Sequence, residues 1–331
     1  MRDIVLSSDG QCKASAARCR ALLVSSRECR QPAPARRVTK PIPHGVVNGA
    51  GSVTEVVLRA MSRAPDARLR EVMESLVRHL HDFIRETQPS EAEFERGLDF
   101  VRRLGQACGP EKNEVVLLSD LLGISTLVVT LEKERRGGIG TDPALLGPFW
   151  RARAPRCAPG DCIARDASGG EPLEVSGRVL DAASKPIAGA WVDVWQASPV
   201  GRYENQDPAQ PEHNLRGLFE TDAEGRYRFR TVRPAGYPVP TDGPCGELLR
   251  AQDRHPWRPA HIHFMISCEG YATLVTQVFD NADDAIESDV VFGVTHALGA
   301  RYARGADGTL RLEYDFVLRR GERRIPTPPI P

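Results

Sequence analysis

Residues 173–179 read Leu-Glu-Val-Ser-Gly-Arg-Val: Leu173, Val175, Gly177 and Val179 fall on one side of an extended chain and polar residues on the other. The same two-residue period recurs at Trp191–Trp195, Tyr227–Arg230, His261–Met265 and Thr273–Phe279. Turn signals separate these runs at Asp222-Ala-Glu-Gly225, Pro234-Ala-Gly236 and Asp307-Gly308. Many short strands joined by Pro- and Gly-rich connections predict an antiparallel β-sandwich rather than alternating βαβ units.

Working back towards the N-terminus, the period changes. From Asp66 to Thr87 the apolar residues Leu69, Val72, Met73, Leu76, Leu80, Phe83 and Ile84 recur at the three-and-four spacing of an amphipathic helix. Pro89 ends it, and Ser90-Glu-Ala-Glu93 is a capping box that opens a second helix, whose face runs Phe94, Leu98, Val101, Leu104 and Cys108 before Gly109-Pro110. Two more helical runs, at about 114–122 and 125–136, end at Gly137-Gly138. The expected class is therefore α+β: a helical domain over 61–140 and a β-sandwich over 141–331. Residues 1–60 read as a disordered or spurious extension. Their first fifty carry nine Lys/Arg against three Asp/Glu and a Pro-rich run from Pro32 to Pro43, a composition that also suits an organelle transit peptide.

Composition narrows the function. Lys+Arg and Asp+Glu both number 44 in 331 residues, and no basic stripe is present, which argues against nucleic-acid binding and for a small-molecule partner. No stretch approaches the roughly 18 apolar residues needed to span a bilayer. The eight cysteines form no CxxC pair. Cys157 and Cys162 are the nearest candidates for a disulfide, and all eight read as reduced thiols in a cytoplasmic setting.

The chemistry concentrates in Arg258-Pro-Ala-His261-Ile-His263-Phe264. On a strand His261 and His263 share a face, about 7 Å apart along the chain, while Ile262 and Phe264 face the other way. That suits two ligands on one metal. Zinc would need a third His, a carboxylate or thiols, and no HExxH or cysteine cluster supplies them. A two-His-one-carboxylate Fe(II) site stays open. So does a site using two of the six tyrosines, Tyr203 after Gly201-Arg202 and Tyr237 between Gly236 and Pro238. A tyrosine between Gly and Pro on a loop packs poorly as core, and its phenol ligates well only to a cation strong enough to deprotonate it, such as ferric iron. Two structural loop tyrosines would read the same way. His255, close by, reads as structural.

In order along the chain, several segments resemble the intradiol ring-cleavage dioxygenases, and within them the hydroxyquinol 1,2-dioxygenases. They are Leu117-Leu-Ser-Asp-Leu-Leu-Gly123, Leu146-Gly-Pro-Phe149, Pro186-Ile-Ala-Gly-Ala-Trp-Val-Asp-Val-Trp195 and Asn214-Leu-Arg-Gly217, followed by Thr231-Val-Arg-Pro-Ala-Gly-Tyr237, Asp242-Gly-Pro244, Arg254–His263 and Asp289-Val-Val-Phe-Gly293. The resemblance spans about 69–316. It implies one Fe(III) per chain, with Tyr203 and His263 as equatorial ligands and Tyr237 and His261 as axial ones. Tyr237 then leaves the metal when the diol binds and helps accept its proton, and Arg258 stabilises negative charge on the ring. Leu117, Asp120, Leu121, Leu145, Leu146, Gly147, Cys245 and Gln277 occupy the matching substrate-pocket positions. An acid at Asp120 in an apolar pocket is costly unless paired, which favours a substrate with a third hydroxyl, hydroxyquinol, over catechol or chlorocatechol. The resemblance further implies a homodimer through the helical domain, with room for lipid there. The rival from another class is a metal-free, transthyretin-like sandwich that binds a ligand.

Overall fold

The computed structural model describes residues 42–109, 112–165 and 169–329. The predicted extension therefore lies mostly outside the described residues. Its last part does not read as extension: α1 (Val53–Met61) forms there, with Glu55 in its first turn and Val56 buried. Helix α2 (Ala67–Thr87) begins where Asp66 accepts a hydrogen bond from the Leu69 amide and ends at Gln88 in the left-handed conformation, before Pro89. Thr54 Oγ1 lies 2.9 Å from His81 Nδ1, joining α1 to α2. These two helices form one compact unit ending at Pro89.

The second unit, from Ser90, holds the other helices and every strand. The predicted helical domain is thus divided, because α3 to α5 are tied to the strand-bearing region by their own side chains. Helix α3 (Glu91–Gln106) opens with the predicted capping box: Glu93 Oε2 accepts from the Ser90 amide at 2.8 Å, and Ser90 Oγ accepts from the Glu93 amide. Its Arg103 makes a two-pronged ion pair with Glu247. Helices α4 (Glu114–Leu121) and α5 (Ile124–Arg135) follow. Arg254 Nη1 donates to the carbonyl of Leu121 at the end of α4.

Strands β1 (Pro172–Asp181), β2 (Trp191–Gln196), β3 (Arg216–Glu220) and β4 (Arg226–Val232) come next, then a two-residue hairpin of β5 (Tyr237–Pro238) and β6 (Trp257–Arg258), with α6 (Pro244–Ala251) between its arms. Strands β7 (His261–Ser267), β8 (Leu274–Asp280), β9 (Gly299–Ala300), β10 (Ala303–Arg304), β11 (Leu310–Glu313) and β12 (Phe316–Leu318) complete the unit. One sheet runs β3-β2-β7-β8-β9. In the other, β1 pairs with β4 along one edge and with β11 and then β12 along the opposite edge, β10 lying outside β11.

The sheets face each other across a core that takes Leu173, Val175 and Val179 from β1, Val192 and Val194 from β2, Ile262, Phe264 and Ile266 from β7, and Phe316. This is the expected α+β sandwich with one difference. The pairings of β1 with β11 and β12, and of β8 with β9, are parallel, so the sheets are mixed. The parallel partners are strands of two to four residues whose alternation is too short to register in the sequence.

Among the described residues no single helix is long and apolar enough to cross a membrane. Cys108, Cys157, Cys162, Cys245 and Cys268 are free thiols.

Candidate metal centre and substrate pocket

Strand β7 separates two functions by its alternation. Ile262, Phe264 and Ile266 enter the sandwich core, while His261 and His263 turn to the opposite face, both 1% exposed. The rings, separated by a residue along the backbone, converge: the two Nε2 atoms lie 3.1 Å apart.

Tyr203 and Tyr237 meet them there. Their hydroxyls are 3.4 Å apart, and that of Tyr237 is 3.4 Å from His261 Nε2. Both tyrosines are buried in an aromatic cluster with Phe149, Trp150, Trp195 and Met265, and Phe149 stacks on Tyr203 at 4.5 Å. The expectation that loop tyrosines pack poorly as core is thus overturned: their loops turn both rings inward. Tyr237 comes from β5, directly opposite Arg258 on β6.

These four side chains suit a hard cation. His261 Nδ1 donates to the carbonyl of Pro259 at 2.7 Å, which leaves its Nε2 lone pair facing the centre. Burial, with Arg258 nearby, pushes the His261 imidazole down to about 3. Burial, the neighbouring His261 and Arg258 hold His263 well below its ordinary value. Both rings are therefore neutral, and the His261 Nε2 lone pair faces His263 Nε2 3.1 Å away, a spacing at which both nitrogens could ligate one cation. Two donors at right angles, each about 2.1 Å from one ion, sit about 3 Å apart. Burial also drives the Tyr203 phenol well above its ordinary value, with Tyr237 adding to the effect and Arg258 and Arg216 opposing it, so only a strong cation would make it a phenolate. Among the described residues no group of three or more His, Cys, Asp or Glu side chains could hold a metal. That removes the support for a zinc or two-His-one-carboxylate site.

Arg258 is 4% exposed and closely held. Nε and Nη2 each donate to Asp289 at 3.1 Å, Nη2 also donates to Gln277 Oε1 at 2.9 Å, and Nη1 lies 3.3 Å from His261 Nε2. Burial opposes its charge, but Asp289 and the two tyrosines outweigh burial and hold the guanidinium protonated. Asp289 in turn accepts from the Gly293 amide at 2.9 Å. A Cβ at Gly293 would come within 3.0 Å of Arg258 Nη2, so glycine lets the loop close on the ion pair. On the far side of Tyr203, the buried Arg216 donates through Nε to both oxygens of Glu204 at 2.8 Å.

A pocket opens onto this centre. Leu117, Asp120, Leu145 and Gly147 line it as anticipated, together with Tyr237 and Arg258. The sequence reading missed Lys112, Glu114, Phe149, Val239, Pro240 and Val291, which also line it. Phe149 and Val291 lie inside the quoted motifs, the one signal that could have marked them. Asp120 is half-buried. Burial raises its carboxyl, against hydrogen bonding from Ser125 and the charge of Arg258.

Four anticipated pocket residues lie elsewhere. Leu121 is 1% exposed and packs among Leu104, Leu145 and Leu249. Leu146 packs against the aromatic cluster. Cys245 sits behind the wall, its amide donating to Glu114 Oε2 at 3.0 Å and its thiol to the Glu114 carbonyl. Gln277 is fully buried and uses both ends of its amide, accepting from Arg258 and donating to the carbonyl of Leu145 at 2.6 Å. It braces the wall from outside. His255 is exposed and accepts from the Trp257 amide at 3.1 Å, at the start of β6.

Comparison with known proteins agrees with this geometry. A dioxygenase family matches residues 145–320, and the catechol dioxygenase N-terminus family matches residues 66–140. The chain is 46% identical to a 6-chlorohydroxyquinol 1,2-dioxygenase of Cupriavidus pinatubonensis, over 81% of this chain and 96% of the relative. It is 43% identical to a hydroxyquinol 1,2-dioxygenase of a Rhizobium species, over 80% and 89%. The crystal structure of hydroxyquinol 1,2-dioxygenase from Pseudomonas putida DLL-E4 superposes with a TM-score of 0.78 at 38% identity, covering 82% of this chain and 99% of that one. A likeness this extensive leaves no room for the metal-free binding module, and the chain belongs to the intradiol ring-cleavage dioxygenases.

Proposed function

We propose that the protein cleaves hydroxyquinol. The bond between the two carbons bearing adjacent hydroxyls breaks, both atoms of O2 are added, and 3-hydroxy-cis,cis-muconate, the tautomer of maleylacetate, is released. The observation that carries this reading is a pocket with the Tyr203, Tyr237, His261, His263 cluster at its inner end and two carboxyls in its wall: Glu114, already paired with Lys112 and the Cys245 amide, and the half-buried Asp120, which is left for a substrate hydroxyl. The relatives named for hydroxyquinol cleavage support it.

In this reading Tyr203, Tyr237, His261 and His263 hold one ferric ion, the non-haem metal this family uses. When bound, the ion supplies a Lewis acid that two adjacent hydroxyls can chelate, making the ring electron-rich towards O2. The chain's own residues do the rest. Tyr237, at the pocket end of the cluster, is placed to take a proton from the incoming diol. Arg258 offers Nη1 towards the ring, its other nitrogens being fixed by Asp289 and Gln277, so positive charge faces the carbon where negative charge develops. Phe149, Leu117 and Val239 form an apolar wall that excludes water. Asp120 accepts a hydrogen bond from the third hydroxyl, which offsets the cost of its burial. The helical region serves as a homodimer interface, a reading supported by the exposed Leu69, Val72, Leu76, Leu80 and Phe83 along α2.

The test is anaerobic titration of hydroxyquinol and catechol against iron-loaded protein, followed by admission of oxygen and identification of products. A visible phenolate-to-iron band that shifts at lower hydroxyquinol than catechol, and a ring-opened diacid, are expected. A colourless iron-treated protein, or an extradiol product, would overturn the reading.

A further inference from the structure

We infer that Trp195 is the positioning residue for His263, doing with an aromatic face what a hydrogen bond does for His261; the inference rests on His263 being a ligand in the proposed centre. A ligating histidine is ordinarily oriented by the hydrogen bond its second ring nitrogen makes. His261 has one, from Nδ1 to the Pro259 carbonyl. His263 Nδ1 is buried and, among the described residues, has no hydrogen-bond partner.

Besides the rings of the proposed ligands His261 and Tyr203, two neighbours press on that imidazole. Trp195 stands directly opposite His263 in the β2–β7 register, and the indole stacks on it with ring centroids 4.8 Å apart and planes 12° from parallel. Trp195 is itself 1% exposed, and its Nε1 likewise lacks a hydrogen-bond partner among the described residues, so packing alone holds it. Against the imidazole lies the backbone of Gly147. A Cβ built there would sit 3.2 Å from His263 Cε1, and φ is +72°, so both space and backbone favour glycine. The ring is thus gripped by an indole and a glycine, and its rotation about Cβ–Cγ is limited by contact.

Altering either side should change how firmly His263 is held; Trp195 also packs in one cluster with Tyr203 and Tyr237, whereas a Cβ at Gly147 meets His263 alone. Trp195→Phe keeps an aromatic face on the strand, Trp195→Leu removes it, and Gly147→Ala presses on the ring. Each variant, loaded with ferric iron, is compared with the parent by melting temperature, by the energy of the phenolate-to-iron band and by the rate of iron loss to a chelator. Trp195→Leu is expected to release iron about 10–100-fold faster, the usual cost of losing a group that orients a ligand, and to shift the band. Trp195→Phe should restore much of both, a recovery that a role confined to stability would not show. Gly147→Ala should also speed release. Folded Trp195→Leu with the parent's release rate and band overturns the inference. Should that variant not fold, parent-like behaviour in both Trp195→Phe and Gly147→Ala overturns it. A parent protein that takes up no iron is a separate outcome, which defeats the ligand assignment itself and this inference with it.

Discussion

Asp193, behind the aromatic cluster, makes a sharp test of the energetics around the site. It lies on β2 two residues before Trp195, is 8% exposed, and accepts a hydrogen bond from the Trp150 indole at 3.0 Å. Burial pushes its carboxyl up to about 7, against the opposing effects of Trp150 and Arg216. An acid whose affinity for its proton rises on folding stabilises the native state fully at low pH. That contribution fades as pH climbs from the unfolded value near 4 through about 7, because the native protein must then hold a buried charge. With one pH unit worth about 1.4 kcal/mol, linkage costs the wild type about 2 kcal/mol at pH 5 and about 4 kcal/mol at pH 8. Asp193→Asn keeps the shape and an acceptor for Trp150 but cannot ionise. The variant's stability relative to wild type, from urea unfolding, should therefore rise by roughly 2–3 kcal/mol between pH 5 and pH 8. Parallel pH profiles for the two proteins would refute the reasoning.

Three further outcomes follow from the site. Asp289→Asn leaves the Arg258 guanidinium buried without its counter-charge; it should cost about 3–5 kcal/mol in denaturant unfolding and lower kcat more than it raises KM for hydroxyquinol. Tyr203→Phe removes a proposed phenolate ligand, so the visible band of the iron-loaded protein should collapse and iron should be lost on gel filtration; an unchanged spectrum would remove Tyr203 from the ligand set. Asp120→Ala should reduce the ratio of kcat/KM for hydroxyquinol to that for catechol by about tenfold, equivalent to about 1.4 kcal/mol, and an unchanged ratio would show that the third hydroxyl is recognised elsewhere.

What the sequence revealed, and what it hid, divides along physical lines. The long periodic elements were legible because each buries one face: Asp66, Ser90 and Glu93 marked the starts of α2 and α3, and the alternation in β1, β2, β7 and β8 marked the sandwich. The hairpin of β5 and β6 and the parallel partners of β1 were not legible, since two to four residues carry no measurable period. At the site, the four proposed ligands and Arg258 could be named from residue chemistry and resemblance. Their surroundings could not. Cys245 and Gln277 fall outside the pocket because their partners, Glu114 and Leu145, come from distant segments whose approach no local pattern encodes. The grip of Trp195 and Gly147 on His263 likewise depends on a cross-strand register and one left-handed backbone angle.

Strand β7 asks two jobs of seven consecutive residues, one face closing the sandwich core and the other carrying His261 and His263. For protein engineering this makes the segment intolerant of length changes in a way that substitutions would not reveal. A single codon inserted or deleted within it would turn later residues over, driving an imidazole into hydrocarbon and an isoleucine towards the proposed metal centre. Variation in ring preference is better sought in α4 and the 145–149 segment, which line the pocket without sharing a strand with the core.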